Sequence, residues 1–212
     1  MRILLTGSSG QLGRALRASL PTQINGDPVD LIVTGRNVDS AMGLEPLDLA
    51  DAKECREVIQ KHQPDWVLNA GAYTAVDRAE AEPEQAHAVN AGAPQALAEA
   101  LAATSAQARF LQISTDFVFS GEQGFPYLPE QPLAPLGVYG ASKASGEQAV
   151  HEVGVGSEVG EAVTGRVLGG AAVEGVGVAA NREPVLAAVA GRAVEHHVVI
   201  AVDVEALATG VA

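Results

Sequence analysis

The sequence predicts an α/β fold, a doubly wound parallel sheet, over residues 1 to about 150. Three observations carry this: short apolar runs alternating with helical patterns, a glycine-rich turn directly after the first run, and a tyrosine and a lysine one helical turn apart. The runs Arg2–Leu5, Leu31–Thr34, Trp66–Asn69 and Phe110–Ser114 are short and apolar enough to be strands buried on both faces. Helical patterns cover Gln11–Ser19, Asp51–His62, Pro83–Ala103 and Tyr139–His151, giving the order βαβα. A loop, Gly121–Gly137, with Pro126, Pro129, Pro132 and Pro135, precedes the last helix. Trp66, where a strand begins, reads as a packing residue. Cys55, inside a helical pattern, reads as a semi-buried side chain and not a nucleophile.

From His151 to Ala212 the composition changes abruptly. Alanine, valine and glycine make up 39 of these 62 residues, and no aromatic residue, lysine, methionine or cysteine occurs. Stretches such as 169–177 show neither a period of 2 nor one of 3.6, and glycine recurs where helix or strand would suffer from it. The reading is an aberrant or truncated C-terminal segment, joined out of frame to a genuine N-terminal domain; a divergent small second domain is the alternative. His196-His197 has no partner ligands at metal spacing, so no metal is assigned.

Charge and cysteine content narrow the function classes. A net charge of −13 disfavours nucleic acid and anionic membrane as partners, because both rest on clustered Lys and Arg. Acidity does not exclude an anionic ligand held by backbone N–H groups and a helix N-terminus. No uncharged apolar stretch reaches about 18 residues, and the apolar start meets Gly7 too soon for a signal-peptide core. With its single cysteine, the chain reads as a cytoplasmic protein of a reducing compartment.

The turn Gly7-Ser8-Ser9-Gly10-Gln11-Leu12-Gly13 lies between the first strand and the first helix. Glycine lets the backbone turn tightly, so that a pyrophosphate can approach the helix N-terminus and its partial positive charge. Gly7 and Gly10 would face the dinucleotide, and Gly13 would let the helix pack close to the sheet. This G-x-x-G-x-x-G spacing is one that short-chain dehydrogenases use on a Rossmann-type sheet. At the end of the second strand, where NAD-preferring sites offer a carboxylate, stands Arg36, which suits a 2′-phosphate. NADPH is therefore expected ahead of NADH. Asp48 and Leu49 would reach the adenine, and Asn69-Ala70-Gly71-Ala72-Tyr73-Thr74 would leave room for cofactor at the carboxyl edge of the sheet.

Tyr139-Gly140-Ala141-Ser142-Lys143 sets a phenol and an ammonium on one helix face. The cation is expected to favour the phenolate and lower the tyrosine's proton affinity; a fall of about 3 units corresponds to roughly 4 kcal/mol. The third catalytic group should be a hydroxyl at a strand end. Thr115 is the first choice and Ser114 the second. Tyr139 would then protonate the oxygen of a carbonyl undergoing reduction while Thr115 steadies it.

Three segments carry a family resemblance: Leu68–Glu80 (LNAGAYTAVDRAE), Ile113–Phe119 (ISTDFVF) and Pro135–Lys143 (PLGVYGASK). On them the first 150 residues resemble the dTDP-4-dehydrorhamnose reductases, extended short-chain dehydrogenases. The resemblance implies that Gln11, Leu12, Ala72, Tyr73 and Thr74 line the cofactor, while Val76, Thr115 and Asp116 face a dTDP-sugar. It implies reduction of that sugar's 4-keto group by NADPH or NADH, and a homodimer as the assembly. Gly71 stands where the family usually has alanine, and Phe117 where it usually has tyrosine. The strand and substrate-binding region that follow in the family are not visible after about Val150. A nucleotide-sugar epimerase, a non-catalytic regulatory subunit and an inactive fragment remain alternatives. A dehydratase would carry Asp-Glu after the threonine, where Asp116 is followed by Phe117.

Overall fold

The computed structural model describes residues 1–36, 43–124, 127–128, 131–154, 163–166 and 198–201. Strand β1 (Arg2–Thr6) leads through the glycine turn into helix α1 (Gln11–Ser19). A small hairpin, β2 (Gln23–Ile24) and β3 (Asp27–Pro28), precedes β4 (Asp30–Gly35), and β5 (Glu45–Pro46) precedes α2 (Ala52–His62). Strand β6 (Trp66–Asn69) is followed by short helices α3 (Val76–Ala79) and α4 (Pro83–His87), a π-helical turn Ala88–Gly92, and α5 (Ala93–Thr104). Then come β7 (Arg109–Ser114), a 3-10 turn at Asp116–Val118, and α6 (Val138–Val153).

All pairings in the main sheet are parallel, and its order is β5-β4-β1-β6-β7, continued by β9 (Val198–Ala201) and β8 (Val163–Arg166). The chain starts at β1, moves outward to β4 and β5, then returns to the other side of β1 with β6. That reversal opens a crevice at the carboxyl ends of β1 and β6, where such sheets bind ligands.

Alternate residues of each strand feed opposite core layers. Leu4, Val67 and Phe110 pack with Cys55, Val58, Ile59, Leu97 and Leu101 of α2 and α5. Ile3, Leu5, Leu68 and Leu111 pack with Leu16 of α1 and with the half-buried Trp66. Continuous apolar strands are what burial on both faces requires. Among the described residues, no helix is long and apolar enough to cross a membrane.

Several expectations need correction. The single helix predicted over Pro83–Ala103 is divided into α4, the π turn and α5. Cys55 is fully buried, and burial pushes its thiol up to about 12, which removes any thiolate at neutral pH. Beyond His151, where the sequence shows no clean period, β8 and β9 extend the sheet; both are short segments containing β-branched residues that favour extended backbone. The aperiodic stretch 169–177 and His196-His197 lie outside the described residues.

Helix α6 approaches the π turn so closely that a Cβ at Gly146 would overlap the Asn90 carbonyl oxygen. Gly146→Ala is therefore expected to destabilise the protein by about 1–3 kcal/mol, seen as a lower urea midpoint; an unchanged midpoint would contradict the packing.

Candidate active site

The glycine turn is locked from beneath by Ser8. Its buried hydroxyl donates to the Leu5 carbonyl at 2.8 Å and accepts from Thr34 N at 3.1 Å, tying the turn to β1 and β4. Gly7 has φ +62°, and a Cβ there would lie 2.6 Å from Gly71 Cα, so neither turn leaves room for a side chain at this point. Gly10 caps α1 without any side-chain hydrogen bond. That end of the helix presents backbone donors and the positive end of the dipole, as a phosphate requires. The cradle thus fits a dinucleotide.

A cleft of ≈ 920 Å³ runs from this turn to α6. Gly7, Gly10, Gln11, Leu12, Arg36, Asp48, Leu49, Ala70, Gly71, Ala72, Tyr73 and Thr74 all line it, as do Tyr139 and Lys143. Gly13 does not. A Cβ on Gly13 would overlap the Gly7 carbonyl oxygen, so this glycine supports the turn from below and is not a contact residue.

Val76, Thr115 and Asp116 are absent from the cleft lining and converge instead on the Tyr139 ring. Val76 packs with it in an apolar cluster containing Ala79 and Ala86. Thr115 shares a hydrogen bond with the phenol, and the Asp116 charge acts on it. Phe117 meets the same ring edge-on, with centroids 5.6 Å apart. Ser114 lines the cleft and its hydroxyl donates to Glu147, whereas the Thr115 hydroxyl donates to Asp116 Oδ1 at 3.1 Å and accepts from Phe117 N at 3.3 Å.

The expected electrostatics of the pair are overturned. Burial raises the Tyr139 proton affinity, the Thr115 hydrogen bond lowers it and Asp116 raises it further, with a net rise and no contribution from Lys143. The Lys143 ammonium is aimed elsewhere, donating to the Ile113 carbonyl at 2.6 Å. Burial lowers its pKa to about 8, opposed by the charge of Glu147.

Reasoning from sequence missed the supports of these groups. Asn90, buried in the π turn, accepts from Tyr73 N at 2.8 Å and donates to the Tyr73 carbonyl and to Ser142 Oγ, both at 3.0 Å, joining the cleft wall to α6. Glu80 accepts from Val138 N at 2.7 Å and so anchors the start of α6 one residue before Tyr139. Glu82, also in the cleft lining, accepts from Tyr73 Oη at 2.8 Å and from Arg78 Nη2 at 2.7 Å. Beneath the turns, Thr6, Asn69 and Gln112 occupy one register position on β1, β6 and β7. Thr6 Oγ1 donates to Asn69 Oδ1, Asn69 Nδ2 to Gln112 Oε1 at 2.8 Å, and Gln112 Nε2 to the Ile113 carbonyl at 2.9 Å. Glu147 carried a readable signal, since it continues the Tyr139, Lys143 spacing by four residues.

Fold and site together define an α/β dinucleotide-fold protein of the short-chain dehydrogenase type. The model of the RmlD substrate binding domain matches residues 1–163, and the chain belongs to that family. It is 43% identical over 152 residues to a dTDP-4-dehydrorhamnose reductase of Streptomyces griseus, matching 72% of this chain and 45% of that one. The crystal structure of the Clostridium acetobutylicum dTDP-4-dehydrorhamnose reductase superposes with a TM-score of 0.62 at 33% identity, covering 72% of this chain and 50% of that one. For the Bacillus anthracis reductase in complex with NADP the TM-score is 0.59 at 32% identity, with 72% and 49% covered. The chain spans about half the length of the curated relatives it matches.

The lowered Lys143 pKa has a thermodynamic sign. Between about 8, its folded value, and its ordinary 10.5, the unfolded chain binds the extra proton, so stability rises with pH through that window. Relative to Lys143→Met, the parent chain should gain roughly 3 kcal/mol between pH 8 and 10.5, measured by urea unfolding at successive pH values; a flat difference would refute the buried cation.

Proposed function

We propose that residues 1 to about 150 form the nucleotide-binding and catalytic unit of an NADPH-dependent reductase acting on the 4-keto group of dTDP-4-dehydrorhamnose. One juxtaposition carries the reading: Tyr139 and Lys143 line the same cleft as the Gly7–Leu12 turn, and Thr115 is hydrogen-bonded to the Tyr139 phenol. Names borne by the similar proteins point to the same reaction.

A bound nicotinamide dinucleotide would supply the hydride. Gly7, Gly10 and the N-terminus of α1 would hold its pyrophosphate, Arg36 a 2′-phosphate, and Asp48 and Leu49 the adenine side of the cleft. Gln11, Leu12 and the segment Ala70–Thr74 would form the remaining wall. NADH would lack the group that Arg36 recognises.

The proton chemistry belongs to this chain. Tyr139, with its raised proton affinity, is fully protonated at neutral pH and is an acid ready to donate to an oxygen gaining negative charge. Thr115 opposes that rise, which favours the phenolate left behind. Lys143 brings a cation one turn further along α6. Val76, Thr115 and Asp116, grouped about Tyr139, would face the sugar nucleotide. We further infer a cytoplasmic location from the single buried cysteine, a homodimer from the family resemblance, and no nucleic-acid partner from the charge of −13.

With purified chain and dTDP-4-dehydrorhamnose, NADPH consumption at 340 nm should fall by about 10²- to 10⁴-fold in Tyr139→Phe. Arg36→Ala should weaken NADPH binding by roughly 10- to 100-fold and leave NADH binding little changed. Binding without turnover would reduce the reading to a cofactor-binding unit, and absence of NADPH binding would overturn it. Net consumption of NADPH also separates a reductase from an epimerase.

A further inference from the structure

Two consecutive residues at the end of β7 hold two buried ionisable groups of α6. The Ile113 carbonyl accepts from Lys143 Nζ at 2.6 Å, and the Ser114 hydroxyl donates to Glu147 Oε1. Lys143 is 3% and Glu147 6% exposed, and the two stand one helical turn apart on the stripe that also carries Tyr139. Lysine and glutamate are almost never so buried without compensation by hydrogen bonds and opposite charge. The neighbours of α6 narrow the source of that charge. β7 brings neutral Ile113 and Ser114, and the π turn brings Asn90, bonded to Ser142. α4 and α5 bring Ala86 and Pro94. The 3-10 turn brings Asp116, whose charge acts on Tyr139, and the chain after α3 brings Glu80, bound at Val138. Among the described residues, Glu147 is the one whose charge acts on Lys143.

We propose that Glu147 is a positioning residue of the site: its buried carboxylate, clamped by Ser114, is the counter-charge that keeps the Lys143 ammonium protonated and turned to the Ile113 carbonyl. The proposal deepens the function proposed above, in which Lys143 belongs to the acid–base pair. Desolvation drives Lys143 toward its neutral form, and the carboxylate opposes that drive. Without Glu147, desolvation would act on the Lys143 ammonium unopposed.

The test exploits composition. The chain has three lysines, Lys53, Lys61 and Lys143, and the side chains of the first two are 78% and 61% exposed. Carbon-13 NMR of the lysine side chains, followed against pH in the full 212-residue protein, therefore separates Lys143 from the others. In Glu147→Gln the Lys143 midpoint should fall by about one pH unit or more while Lys53 and Lys61 stay in place, and Glu147→Asp should restore most of the difference. Ser114→Ala, which removes the clamp on that carboxylate, should also lower the Lys143 midpoint; this arm holds even if Glu147→Gln fails to fold. An unmoved Lys143 in folded Glu147→Gln, or in Ser114→Ala, overturns the proposal. No substrate is involved, so a chain that shows the coupling but does not oxidise NADPH would refute the reductase reading and leave Glu147 in its role.

Discussion

Everything at this site is referred to the contact between the turns after β1 and β6. Gly7 and Gly71 meet backbone to backbone, and Gly71 N donates to Thr6 Oγ1 at 3.1 Å, so each turn is held to the strand end of the other. From Thr6 the hydrogen bonds run through Asn69 and Gln112 to the Ile113 carbonyl, the group that also receives Lys143. Beneath the cleft thus runs a row of buried amide and hydroxyl groups with few rotamers to choose from once paired. A fully satisfied buried polar network specifies one arrangement where apolar packing would tolerate several. That row joins the strand end beneath the glycine turn to the carbonyl that receives Lys143 of α6.

Much of the fold was legible because its signals are local. Trp66–Asn69 and Gln11–Ser19 coincide with their elements residue for residue, since an apolar run between turn signals and a helix opening on a glycine are complete within a few residues. The glycine turn and the Ala70–Thr74 segment of the cleft lining were legible for the same reason, each directly following a strand. What the sequence concealed depends on partners far along the chain. β5 is two residues long and exists through its pairing with Thr34 and Gly35. Glu80 acts on α6 across 58 positions. The expected fall in the Tyr139 proton affinity rested on helical spacing alone, and spacing says nothing of where a flexible lysine side chain is drawn by a carbonyl on another element.

The electrostatic design separates surface from site. The chain is strongly acidic, yet the glycine turn offers backbone N–H groups and helix geometry, which are indifferent to net charge. Along the helix stripe that carries Tyr139, the buried charges Lys143 and Glu147 are each hydrogen-bonded to the end of β7, while Asp116 is half-buried. Such an arrangement lets an acidic protein recognise an anion without a basic patch.

The π turn at Ala88–Gly92 departs from a regular helix by one residue in its hydrogen-bond span, and it carries Asn90. Deleting a residue there would restore unbroken α-helical pairing, the locally preferred state. It would also rotate the preceding segment by about 100° relative to α5, because an α-helix advances one turn in 3.6 residues. Asn90 would then face away from either Tyr73 or Ser142, and the cleft wall would part from the helix bearing the acid. The irregularity is therefore locally unfavourable and globally required: it is what lets Asn90 bond Tyr73 and Ser142 at once.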